Sequence, residues 1–128
     1  MALRPIIVIP DKRLRQVSKP VAKIDAPVRK LIEQEPLRFS PAVVLELQYL
    51  REIGRVADRP ATITRTLSAQ IGLKECDQPF AAIIESALEQ DWTRDPFDRI
   101  IVGQAALSGS QLVTKDREIR RHYRRAVW

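Results

Sequence analysis

Cysteine and histidine are almost missing from this chain of 128 residues, which carries one of each, Cys76 and His122. A lone cysteine excludes an intrachain disulfide and any multi-cysteine zinc site. A lone histidine excludes the His-x-x-x-His zinc motif and any histidine-rich metal centre. Aromatic residues make up only 5% of the chain, which argues against a protein that reads nucleic acid mainly by stacking bases. No apolar run approaches the ~20 residues needed to span a bilayer. The opening Met1-Ala2-Leu3-Arg4-Pro5 is broken by proline too early for a signal peptide, so the expected compartment is the cytoplasm and no membrane contact is expected. What is present, 45% hydrophobic and 30% charged residues in 14.7 kDa, suits a single domain over residues 1–128 with a real core.

The net charge of +6 is unevenly spread: residues 1–30 hold eight Lys/Arg against two Asp, and residues 117–128 hold five Arg against Glu118 alone. The stretch between them, 31–116, is acidic, with nine Lys/Arg against thirteen Asp/Glu. An acidic middle between basic ends suits metal ions held centrally and a polyanion around the rim. Two solvated surface faces would give the same arithmetic.

Apolar pattern and punctuation residues order the chain into alternating strands and helices. Pro5-Ile6-Ile7-Val8-Ile9 is a continuously apolar, β-branched run of the kind buried on both faces of a parallel sheet. Asp25 caps a helix to about Glu35, and Leu37-Arg38-Phe39 follows as a strand. Ser40-Pro41 opens a helix to Ile53, with Gly54 behind it. A helix over 60–71, a strand over 73–76 and a helix from about Phe80 to Glu89 come next. A helix over 96–108 capped by Asp95, a strand over 111–114, a helix from Asp116 to about Arg124 and a short strand at 126–128 complete the chain. Strands alternating with helices predict an α/β sandwich around a parallel sheet.

In an open parallel sheet, ligands gather outside the carboxyl ends of the strands. Asp11, Asp77 and Asp116 fall just past expected strands. Asp77 reads as a cap for the turn into Gln78-Pro79. Glu46 shares the spacing of Val43, Leu50 and Ile53, which lays it on the apolar stripe of its helix. Burying that carboxylate costs several kcal/mol (roughly) unless cations or donors compensate it; at the stripe's edge it would reach solvent instead. Asp98 lies with Ile101, Val102 and Ala105 on an inner helix face, while Asp95 suits the N-cap and the helix dipole. Asp116 would also cap the last helix. Cys76 reads as a small buried hydrophobe, and His122 as a surface or phosphate-facing residue. Converging carboxylates without histidine or cysteine favour a hard divalent cation, Mg²⁺ or Mn²⁺. Such a centre suits phosphodiester hydrolysis, with arginines holding the polyanion.

From about Leu31 to the end, roughly three quarters of the chain, the sequence resembles the PIN-domain ribonucleases, specifically the VapC toxins of type II toxin–antitoxin pairs. The matching stretches are Phe39-Ser40-Pro41 through Leu45-Glu46-Leu47, then Trp92-Thr93-Arg94-Asp95-Pro96-Phe97-Asp98-Arg99-Ile100-Ile101-Val102, then Leu112-Val113-Thr114-Lys115-Asp116. The resemblance implies a PIN-like three-layer sandwich with a parallel sheet of four to five strands, a Mg²⁺/Mn²⁺-dependent endoribonuclease, a VapB-like antitoxin and a homodimer. Carried over by position, Glu46, Asp98 and Asp116 match the family's acidic cluster, with Thr114 and Asp95 nearby.

Residues 1–33 are similar instead to the amino-terminal segment of peptide deformylases, through Ile6-Ile7-Val8-Ile9-Pro10-Asp11-Lys12-Arg13-Leu14-Arg15, Ser18-Lys19-Pro20-Val21 and Ile24-Asp25. That enzyme's Glu-Gly-Cys-Leu and HExxH motifs are absent, since Glu75-Cys76-Asp77 does not match and His122 stands alone. Deformylase activity is therefore not expected. The two resemblances meet near Arg29 to Glu33, leaving residues 34–128 as a PIN-like body with an atypical front. The toxin family's usual opening strand, ending in Leu-Asp-Thr, is replaced, and Asp11 stands where the lost metal ligand would be. The expected ligands are Asp11, Glu46, Asp98 and Asp116, with Arg94, Arg99, Arg120 and Arg121 on RNA phosphates. The alternatives are a catalytically impaired scaffold that binds an antitoxin or RNA, and a chimeric fragment.

Overall fold

A computed structural model of the chain describes Ile6 and Ile7, Lys30, and residues 36–128. Asp11, the meeting point near 29–33 and, apart from helical Lys30, the expected helix over 25–35 lie outside the described residues. Within them the strands are β1 (Ile6–Ile7), β2 (Arg38–Phe39), β3 (Lys74–Glu75), β4 (Leu112–Val113) and β5 (Ala126–Val127). The helices are α1 (Pro41–Glu52), α2 (Pro60–Ile71), α3 (Phe80–Leu88), α4 (Pro96–Ser108) and α5 (Arg117–His122).

Local chemistry places each helix start. Ser40, extended at φ −71 and ψ 138, accepts a hydrogen bond from the Ala42 N–H through its hydroxyl, and Pro41 occupies the first turn of α1, where a missing N–H costs nothing. Asp95 caps α4 by accepting from the N–H groups of Phe97 (2.9 Å) and Asp98 (3.4 Å). Its far end closes on Gly109 at φ 62, a left-handed conformation that glycine reaches without steric cost. Asp77 does not cap α3; it is exposed and pairs with Arg38 at 3.7 Å. The cap position there is Pro79, whose ring side chain has no hydrogen-bonding group to offer. Cys76 is half-buried, not a core residue, with its thiol 3.8 Å from the Gln78 side-chain oxygen.

All strand pairs are parallel, in the order β3-β2-β1-β4-β5. Ile6 lies opposite Arg38 on one side and Leu112 on the other, and Ile7 opposite Phe39 and Val113. Leu112 and Val113 are both buried, so β4 is covered on both faces, as parallel strands usually are. The core gathers Leu37, Phe39, Val43, Leu47, Ile101, Val102, Leu112, Val113 and Ile119. It therefore draws on β2, α1, α4, β4 and α5 together. Helices α3 and α4 approach so closely that a Cβ built at Gly103 would lie 2.7 Å from the Ala87 nitrogen and 2.8 Å from its Cα. The Ser86 hydroxyl donates to the Gly103 carbonyl across the same contact at 2.7 Å.

The chain steps outward from β1 to β2 to β3, then returns to the other side of β1 for β4 and β5. That reversal makes the carboxyl ends of β1 and β4 the switch point, where the outgoing connections diverge and leave a crevice.

Candidate functional site

Asp116 stands at this switch point, three residues beyond Val113 of β4. Its backbone N–H donates to the Thr114 hydroxyl at 3.0 Å. One of its carboxylate oxygens accepts from the N–H groups of Glu118 (2.9 Å) and Ile119 (3.0 Å), capping α5. Thr114 is fully buried and Asp116 is 6% exposed. Capping and burial are thus combined in one residue.

Asp98 sits in the first turn of α4 and is 4% exposed. Because α4 runs back toward the start of β4, its first turn lies toward the carboxyl edge of the sheet. Glu46, in the second turn of α1, is 3% exposed, which removes the solvent-reaching alternative that the helix pattern left open. Helices α1 and α4 pack against each other. Each of the three acids takes part in a polar or electrostatic interaction, as the several-kcal/mol (roughly) cost of burying a carboxylate requires.

Topology therefore buries the three acids toward one edge of the sheet. Among the described residues, however, no three His, Cys, Asp or Glu side chains lie close enough together to hold a metal ion. Asp95 serves as the α4 cap, the structural role its position favoured. An open cleft of about 680 Å³, lined by Phe39, Arg65, Leu73 and Lys74 among others, lies instead between α2 and the edge strand β3, away from the switch point.

The basic residues divide by role. The Arg99 Nε donates to the Thr93 carbonyl at 2.7 Å, so Arg99 braces the loop that leads into α4. Arg94 on that loop is exposed, as are Arg120 and Arg121 on α5. Arg121 pairs with Glu118 at 3.2 Å. Beside them lies a feature that residue spacing did not reveal. The Trp92 indole and the His122 imidazole stack with centroids 4.8 Å apart and planes 7° from parallel. Their separation of 30 positions hid the pair; a basic helix carrying the single histidine was the one available signal. Next to it, the Tyr123 hydroxyl donates to the Ser110 carbonyl. Burial pushes this phenol above its ordinary value of 10.0, and Arg125 pulls it partly back.

A PIN-domain family model matches residues 23–125, most of the chain. The chain belongs to the PIN-domain family. PIN domains have a nuclease-type fold, generally use divalent metals and commonly bind RNA and antitoxins. The α/β class and the parallel pairing of short strands agree with that membership. The match begins at residue 23, upstream of the boundary near 29–33 that the residues suggested, so the PIN pattern reaches into the atypical front.

This PIN domain is also similar, over a shorter stretch, to peptide deformylases. It is 61% identical over 58 residues to the peptide deformylase of Rhodopseudomonas palustris (strain BisB5), which covers 44% of this chain and 33% of that enzyme. It is 58% identical over 33 residues to that of Mesorhizobium japonicum, 26% of this chain and 19% of that enzyme. With the Methylocella silvestris enzyme it shares 61% identity over 47 residues, 35% of this chain and 24% of that one. The chain thus spans a third or less of the length of these curated relatives. None of the described residues lies in a helix long and apolar enough to cross a membrane.

Proposed function

We propose that this PIN domain is a Mg²⁺- or Mn²⁺-dependent endoribonuclease that acts as the toxin of a toxin–antitoxin pair, partnered by a VapB-like antitoxin and working as a homodimer in the cytoplasm. The observation that carries this reading is the burial of Glu46, Asp98 and Asp116 in a chain whose PIN-domain match spans 23–125. Three nearly inaccessible carboxylates are costly to a small domain unless a cation or donors offset them. Their all-oxygen character fits a hard divalent ion. In this reading Asp11, which lies outside the described residues, would complete with Glu46, Asp98 and Asp116 a metal site that the described residues alone do not form. When bound, the ion would supply an activated water and charge neutralisation at the scissile phosphate. The chain's own residues do the rest. Asp116 keeps one oxygen on the α5 cap, which fixes its carboxylate, and the Thr114 hydroxyl accepts from its backbone N–H. Arg99 stiffens the loop into α4, and Arg94, Arg120 and Arg121 offer charge to the RNA backbone.

Cleavage of single-stranded RNA in Mn²⁺ tests this directly. Asp98→Asn is expected to lower the rate by about a hundredfold or more while leaving the circular dichroism spectrum unchanged. Cleavage that persists in excess chelator would refute the reading.

A second reading is a PIN-type scaffold that binds RNA or an antitoxin without cutting. It is favoured by the lack of a three-acid group among the described residues and by the deformylase-like match. Calorimetric titration with Mn²⁺ separates the two. Tight binding lost in Asp11→Asn supports the nuclease; no saturable heat supports the scaffold.

A further inference from the structure

The Trp92–His122 stack has no role in the acidic site, yet its construction is that of a binding surface. Trp92 packs against the hydrophobic core and stacks on His122. The Trp92 Nε1 donates to the Gln90 side chain at 2.9 Å, which pins the indole in its plane. The loop beneath is held by the Asp95 N–H on the Thr93 hydroxyl (3.2 Å) and by Arg99 on the Thr93 carbonyl (2.7 Å). His122 itself is exposed. With one face on Trp92, the exposure of His122 falls on its other face and edges. The result is a rigid, core-backed aromatic surface. Around it stand exposed arginines: Arg94 on the loop, Arg120 and Arg121 on α5, and Arg124 and Arg125 beyond.

We propose that the outer face of His122, backed by Trp92, is a stacking platform for one unpaired base of a single-stranded RNA, with the neighbouring arginines on the flanking phosphates. A flat ring among cations is how proteins hold single strands without reading sequence. A charged surface without the ring would hold duplex and single strand alike. Pre-ordering by the core lowers the entropy lost on binding. The six residues of α5 rise about 9 Å from the Asp116 end to His122. That is about the length of two to three stacked nucleotides, so a strand of that length laid along α5 spans from the platform to the Asp116 end. The inference takes RNA as ligand from the proposed function, but it concerns binding and does not require cleavage.

Trp92 provides its own reporter. In the full chain carrying Trp128→Phe, it is the only remaining indole. A short oligouridylate added in chelator, so that nothing is cut, is expected to quench its emission saturably. An RNA duplex and an abasic oligomer of equal charge are expected to bind without that quenching. His122→Ala should weaken oligouridylate binding by about fivefold or more, and His122→Phe should restore it. Unchanged affinity in His122→Ala, or equal quenching by the abasic oligomer, overturns the platform and leaves only phosphate contacts. Stronger competition by an acidic peptide than by RNA also overturns it, in favour of a protein-binding surface. Quenching without Mn²⁺-dependent cleavage keeps the platform and defeats the nuclease; cleavage without quenching does the reverse.

Discussion

At the scale of single residues, Asp116 caps α5 and, in the proposed nuclease, is also a metal ligand, and substitution separates the two. Asparagine caps a helix as well as aspartate does but carries no charge. Asp116→Asn should therefore leave the urea midpoint nearly unchanged while RNA cleavage falls with Mn²⁺ affinity. Asp116→Ala loses the bonds from Glu118 and Ile119 and should also cost about 1 kcal/mol of stability. If both variants retained full cleavage, Asp116 would be a cap and nothing more. Glu46 shows how far one residue can be read from spacing. The stripe with Val43 and Leu50 left it between core and solvent, and only the folded arrangement settled that it is 3% exposed.

Among elements, the contact of α3 with α4 sets where Asp98 sits. The two atoms nearest a Cβ at Gly103 belong to the Ala87 backbone, which cannot rotate away as a side chain would. Gly103→Val must push the helices apart and should destabilise the fold by about 2 kcal/mol, measured by urea denaturation. It should also weaken Mn²⁺ binding through displacement of the α4 first turn. The junction of α5 with the sheet carries a pH signature. Tyr123 is protonated as it donates to Ser110, and its folded value lies above the ordinary 10.0. Its contribution to stability is therefore complete below pH 10 and is lost as pH rises through the higher folded value. Denaturation at successive alkaline pH values should show this decline in the native chain and a smaller one in Tyr123→Phe.

For the whole molecule, the charge pattern governs association. Arg94 and the arginines of 117–128 are exposed, so binding of single-stranded RNA should weaken steeply with salt. Arg120→Ala and Arg121→Ala should each reduce the slope of log affinity against log salt, by about 0.7 at most for one phosphate. Because Arg121 also pairs with Glu118, its loss should move the slope less than that of Arg120. Equal slopes in all three proteins would move the RNA contacts off α5.

Helix starts and stops, the alternation of elements and the parallel class were legible residue by residue. Ser40, Asp95 and Asp116 satisfy the first N–H groups of their own helices, and an apolar β-branched run has few other places to go. Such interactions span only a few positions, so neighbouring residues determine them. Asp77, which pairs with Arg38 across the sheet instead of capping its own turn, marks the limit of that reasoning. The reversal of strand order at β1, the burial of Glu46, Asp98 and Asp116, and the meeting of Trp92 with His122 were decided only by tertiary packing. Each joins residues far apart in the chain, and their proximity follows from how sheet and helices exclude water together, which no local pattern encodes.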